Sequence, residues 1–119
     1  MKKLKCHCGA VEAEINIENF EKVMRCNCSL CKRKGAIMAI VDNDKFKIIR
    51  GNDKLKIYQF HTNVAKHFFC SVCGIYTHHH PRINTALTGF NIGCLDEINQ
   101  FDIKNIKLAD GNNHPLDKK

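Results

Sequence analysis

Seven of the eight cysteines in this chain fall into three tight groups. Cys26, Cys28 and Cys31 lie within six residues, Cys6 and Cys8 flank a histidine ahead of Gly9, and Cys70 and Cys73 precede Gly74. Thiolates are soft, charged ligands that suit zinc. A short-spaced pair can chelate an ion from a tight turn, and a glycine just after it lets the backbone take positive φ. Two such pairs can meet on one tetrahedral Zn²⁺ with Zn–S bonds of about 2.3 Å. Cys6, Cys8, Cys70 and Cys73 therefore read as a closed, structural zinc site that ties the first strand to the middle of the chain. His7, between two ligands, reads as a surface residue.

The middle group poses a counting problem. Cys26, Cys28 and Cys31 offer three ligands where a closed shell needs four. A zinc with one open position is what catalysis requires, since substrate or water must reach the metal. A thiol bound there would ionise and become a nucleophile toward a carbonyl carbon. Arg25, Lys32, Arg33 and Lys34 flank the group. They would favour thiolates and draw in an anion, or serve simply as solvated surface. Three other readings stay open: Cys94 or a histidine closes the shell, the thiols form a metal-free redox centre, or they only pack. Cys94 itself reads as a small buried hydrophobe outside the metal sites. In "THHHP" a strand would put His78 and His80 on one face and His79 on the other. Lining a pocket suits these three better than ligating. His61, His67 and His114 have no constellation around them.

The elements that must hold these groups are short strands. "AVEAEINI" alternates, with Val11, Ala13 and Ile15 on one face and Ala10, Glu12 and Glu14 on the other. "AIMAIV" is a continuous apolar run suited to a strand buried on both faces. "KFKIIRG" and "KLKIYQF", separated by "GND", are expected to form a hairpin. "VAKHFF", "GIYTHHH", "TALTGFNI" and "QFDIKNIKL" add further strands. Only "CSLCKRKG" looks helical, a short turn closed by Gly35. The expectation is an all-β fold in one domain spanning residues 1–119.

Composition narrows the function classes. No apolar run approaches the roughly 20 residues that a membrane helix needs. The lysines at the start are not followed by the apolar segment of a signal peptide. Both features point to the cytoplasm, where clustered cysteines are more often metal ligands than disulfides. The formal charge of +7 hints at an anionic partner. Seven thiolates on two Zn²⁺ would cut that excess to about +4, the lysines form no block, and no aromatic platform accompanies them. Nucleic acid is therefore not the expected partner.

Taken together, "CHCGAVE", "CNCSLCKRKG", "FFCSVCGIYT", the late "GCLDE" and the terminal "DGNNHP" resemble the glutathione-dependent formaldehyde-activating enzyme family. The likeness runs over about residues 4–116. It implies a β-tent fold of mostly antiparallel strands stapled by a four-cysteine zinc site. It implies a structural zinc on Cys6, Cys8, Cys70 and Cys73, and a catalytic, labile zinc on Cys26, Cys28 and Cys31. It also implies that a small thiol, glutathione, adds to formaldehyde, a reaction classed in reverse as carbon–sulfur lysis. Lys32, Arg33 and Lys34 could receive the carboxylates of glutathione. The alternative is a non-catalytic zinc-binding module that serves a protein or nucleic-acid partner.

Overall fold

The computed structural model describes residues 1–20 and 22–113. His114 and the end of "DGNNHP" lie outside the described residues. Almost all regular structure is sheet, as expected, and the strands fall into two sheets. The smaller is antiparallel, with β2 (Glu12–Ile15) between β1 (Lys2–Lys5) and β5 (Phe46–Arg50). The larger has seven strands. Its central members are β4 (Met38–Asp42), β9 (Leu87–Asn91), β8 (Tyr76–His80) and β7 (Lys66–Cys70), paired antiparallel in that order. β6 (Leu55–Tyr58) forms one edge against β7. At the other end β3 (Met24–Cys26) pairs with β4 and, in parallel, with β10 (Lys107–Ala109). The α-helix α1 (Ser29–Lys34) follows β3.

Burial between the sheets explains the sequence pattern. Leu4, Ala13 and Ile15 from the small sheet meet Ile37, Ala39, Phe90 and Ile92 from the large one. "AIMAIV" is central as expected, with Ile37, Met38, Ala39 and Val41 all buried. Phe90 is wholly enclosed and takes the edge of Phe20 at 6.0 Å. Glu12, on the polar face of the alternation, is nonetheless buried. Arg50 at 3.2 Å and Lys5 at 3.9 Å neutralise it.

Two expectations are corrected. "KFKIIRG" and "KLKIYQF" do not pair as a hairpin: β5 joins β2, and β6 joins β7. Gly51 is the divide. It sits at φ 80°, and a Cβ there would overlap the Ala10 carbonyl, so the chain turns away into a 3-10 turn at Asn52–Lys54. Pairing with β2 sets Phe46 opposite Ile15 and Ile48 opposite Ala13, packing both aromatic and aliphatic side chains against the core. Of "QFDIKNIKL" only Lys107 and Leu108 are strand, the start of β10. Asn99 caps a 3-10 turn at Gln100–Asp102, accepting from the Phe101 N–H at 3.1 Å, and Asn105 takes positive φ.

Candidate metal centres

The first two cysteine groups are matching turns. After β1 the Gly9 N–H donates to the Cys6 carbonyl at 3.2 Å, and the Cys6 N–H to the Val11 carbonyl at 3.1 Å. Between β7 and β8 the Gly74 N–H donates to the Cys70 carbonyl at 2.8 Å, and the Cys70 N–H to the Ile75 carbonyl at 3.0 Å. The folds of the two sheets bring these turns together. All four Sγ atoms lie within 4.8 Å of one another. Cys8 Sγ is 3.7 Å from Cys6 Sγ and 3.8 Å from Cys70 Sγ. Four sulfurs arranged tetrahedrally at about 2.3 Å from an ion have edges of about 3.8 Å, so the spacing fits a metal of zinc's size. The Val11 N–H donates to Cys6 Sγ at 3.2 Å and the Val72 N–H to Cys70 Sγ at 3.4 Å. Such donors favour thiolate charge.

The third group is built locally. Cys26 ends β3 and Cys28 caps α1, its Sγ accepting the Cys31 N–H at 3.2 Å. The Cys28 N–H points to Cys26 Sγ at 3.5 Å. Gly35 closes the helix by donating its N–H to the Cys31 carbonyl at 3.0 Å. The three sulfurs lie within 4.8 Å of one another, and among the described residues no fourth Cys, His, Asp or Glu joins them. A hydrogen bond from the Cys31 thiol holds Cys26 well below the ordinary thiol range despite its burial, helped by the Cys28 and Gly111 amides. The same bond, together with burial, pushes Cys31 up. One sulfur of the group thus carries charge at neutral pH, as a ligand for a soft metal must.

A clasp from the C-terminal segment covers this group. The Asn27 N–H donates to the Ala109 carbonyl at 3.2 Å. Asn27 Nδ2 donates to Asp110 Oδ1 at 3.2 Å, and the Asn112 N–H donates back to Asn27 Oδ1 at 3.2 Å. Between these anchors Gly111 passes so close that a Cβ would stand 2.5 Å from Cys26 Sγ and 2.7 Å from Cys28 Cβ.

The flanking cations divide. Arg25, Lys32 and Arg33 are exposed. Lys34 turns inward, with Nζ 2.9 Å from His67 Nδ1 and 3.7 Å from the centre of the Tyr76 ring. Burial lowers its pKa, opposed by the charges of Cys31, Cys28 and Cys26. Burial and then Lys34 hold His67 down to about 4, so its ring is neutral at pH 7 and Nδ1 can accept from Lys34. His67 stacks on His79 at 5.5 Å, and His79 Nδ1 meets Tyr76 Oη at 2.5 Å. A cavity of about 310 Å³ opens here, lined by Leu30, Lys34, Tyr58, His67, Phe69 and Tyr76.

His67 was expected to have no constellation, and this is corrected: it faces Lys34 and lies opposite His79 across the β7–β8 pair. The signal was that register, which the sequence does not carry. Of the "THHH" run none joins a metal group among the described residues. His78 stacks on Phe68 at 4.4 Å, and His80 Nδ1 meets the Leu87 carbonyl at 3.0 Å. The pocket-lining role falls to His67, with His79 stacked on it. Cys94 is buried beside the Tyr76 carbonyl, its thiol donating at 3.7 Å, outside both groups.

The sequence pattern described as glutathione-dependent formaldehyde-activating enzyme matches residues 1–107. Among solved structures, a crystal structure of a Rhodobacter sphaeroides protein is similar at 44% identity with a TM-score of 0.85. The match covers 90% of this chain and 99% of that one.

Proposed function

The chain belongs to the glutathione-dependent formaldehyde-activating enzyme family, and from that premise we propose that it joins a small thiol, first of all glutathione, to formaldehyde or a related small aldehyde. Run backwards, the same reaction is carbon–sulfur lysis. The observation that carries this reading is the three-thiol group with no fourth protein ligand among the described residues. Cys26, Cys28 and Cys31 are assigned to a catalytic zinc, and Cys6, Cys8, Cys70 and Cys73 to a structural one. When bound, the catalytic ion supplies the Lewis acidity that lets a thiol ionise near neutral pH.

The chain's own residues do the rest. Amide donors and the Cys31 thiol favour the thiolate at Cys26. Exposed Lys32 and Arg33 supply a positive field for the carboxylates of glutathione. In the reaction the thiolate electron pair forms a bond to the carbonyl carbon. The C=O π pair moves to oxygen, which takes a proton from water, and the proton released by the thiol neutralises the hydroxide left behind. The product is a hemithioacetal, S-hydroxymethylglutathione if the substrates are the family's. We assign residues 1–119 to one such zinc domain. No helix among the described residues is long and apolar enough to cross a membrane, and the reduced cysteine groups suit a cytoplasmic setting.

Exchange NMR on glutathione and formaldehyde tests the reading. Zinc-loaded protein should speed interconversion at least tenfold over buffer, and Cys28→Ser should abolish the gain. Equal rates for the two proteins would sink it. Salt-dependent RNA binding without rate enhancement would favour the non-catalytic alternative.

A further inference from the structure

The cavity beside α1 has walls of one kind. Leu30, Tyr58, Phe69 and Tyr76 give it apolar and aromatic surface, and Lys34 supplies its one cation. An ammonium has three N–H donors. Among the described residues Lys34 makes one hydrogen bond, to His67, and no carboxylate pairs with it. A half-buried cation with spare donors is costly unless an anion meets it. The cysteine group acts on Lys34 through its field, not through a hydrogen bond. At about 310 Å³ the cavity is at the small end of ligand sites.

We propose that this cavity binds a small organic monoanion, its apolar, planar body against Tyr58, Phe69 and Tyr76 and its carboxylate on Lys34. Leu30 and Lys34 lie on α1 with Cys31, so the cavity is built on the helix that carries one of the three thiols, although no cysteine lines it. The site is a binding site of its own, apart from exposed Lys32 and Arg33, the residues that would receive the carboxylates of glutathione. Glutathione fits the cavity less well. It carries two carboxylates and an ammonium, whereas these walls offer one cation and no anion.

The test is binding, measured by ¹⁵N NMR titration of the zinc-loaded protein. The probes are 3-phenylpropanoate, the uncharged 3-phenylpropan-1-ol, and S-methylglutathione. Expected are saturable shifts at Leu30, Lys34, Tyr58, Phe69 and Tyr76, with the acid binding at least tenfold tighter than the alcohol. Lys34→Gln should reduce that ratio to about one. Tyr58→Ala, at a half-exposed position, should weaken acid and alcohol by a similar factor. If Lys34→Gln fails to fold, the wild-type ratio decides. Absence of saturable shifts, an alcohol that binds as well as the acid, or tighter binding of S-methylglutathione than of the acid would overturn the proposal. Failure of glutathione–formaldehyde exchange with binding intact would overturn the proposed reaction and leave this site standing.

Discussion

Gly111→Ala perturbs the three-thiol group without replacing a ligand. The added Cβ would stand 2.5 Å from Cys26 Sγ, where ordinary contact begins at 3.4 Å. Either the sulfur or the 109–112 segment must give by about 0.9 Å. The segment is pinned on both sides of Gly111, at the Ala109 carbonyl and at the Asn112 N–H, through the backbone and side chain of Asn27. Asn27 lies between the two crowded cysteines, so it cannot relax independently of them. Zinc–ligand distances tolerate only about 0.2 Å. Most of the displacement must therefore appear as lost coordination or as a broken clasp. Disturbing the support of a metal ligand typically lowers affinity about 10- to 100-fold. Competition with a chromophoric zinc chelator should show two classes of site in the wild type. The variant should keep the tighter class unchanged and weaken the other at least tenfold. Unchanged affinity at both sites would show that the segment does not hold the group, and the argument from close approach would fail. Loss at the four-cysteine site instead would mean the assignment of the weaker class is reversed.

Cys8→Ser should lower Tm by roughly 10 °C, the effect of about 3 kcal/mol at this chain length, whereas Cys28→Ser should stay within a few degrees of wild type by calorimetry. Stripping metal with a chelator should likewise empty the Cys26 group first, with little change in Tm until the second ion leaves. His78 is held down to about 3 by burial and then by His80; its folded value lies below the unfolded one near 6.5, so stability is intact above pH 6.5 and falls as pH drops toward 3. The slope per such histidine is about 1.4 kcal/mol per pH unit, and His78→Phe should flatten it in denaturant titrations run from pH 6.5 to 4.5. Phe90→Ala should cost about 3–5 kcal/mol, read as a lower urea midpoint with little change in slope, because Phe90 is fully enclosed between the sheets.

What the sequence made legible is what is local. Cys28, Cys31 and Gly35 are spaced as one helical turn needs them, and α1 forms there with Cys28 as its cap. The glycines after Cys8 and Cys73 marked turns whose thiols point to one place. Alternation in "AVEAEINI" told which side chains face the core. It could not tell which strand lies beside which, since a period of two fixes faces and not partners. That is why β5 and β6, adjacent in sequence, were expected to pair and instead serve different sheets. The Lys34–His67 contact was hidden for the same reason. It joins residues 33 apart through sheet register and helix placement, and neither is written in a local pattern. Lys34 itself was visible as one of four flanking cations, but only burial separates it from Arg25, Lys32 and Arg33.

The two thiol groups differ in what they connect, and this bears on their roles. The four-cysteine group joins the turn after β1, in the small sheet, to the turn after β7, in the large one. An ion there closes a loop of more than sixty residues and fixes one sheet against the other. Part of its binding energy is folding energy. The three-cysteine group closes almost no loop, for its ligands lie within six residues at the end of β3 and the start of α1. Hydrogen bonds already hold that geometry: the Cys31 amide to Cys28, the Cys28 amide to Cys26, and the clasp through Asn27. Metal binding there adds little to the fold, and losing the ion costs little. A metal held by a site that the protein has already organised, with three thiols among the described residues, would exchange without unfolding its surroundings.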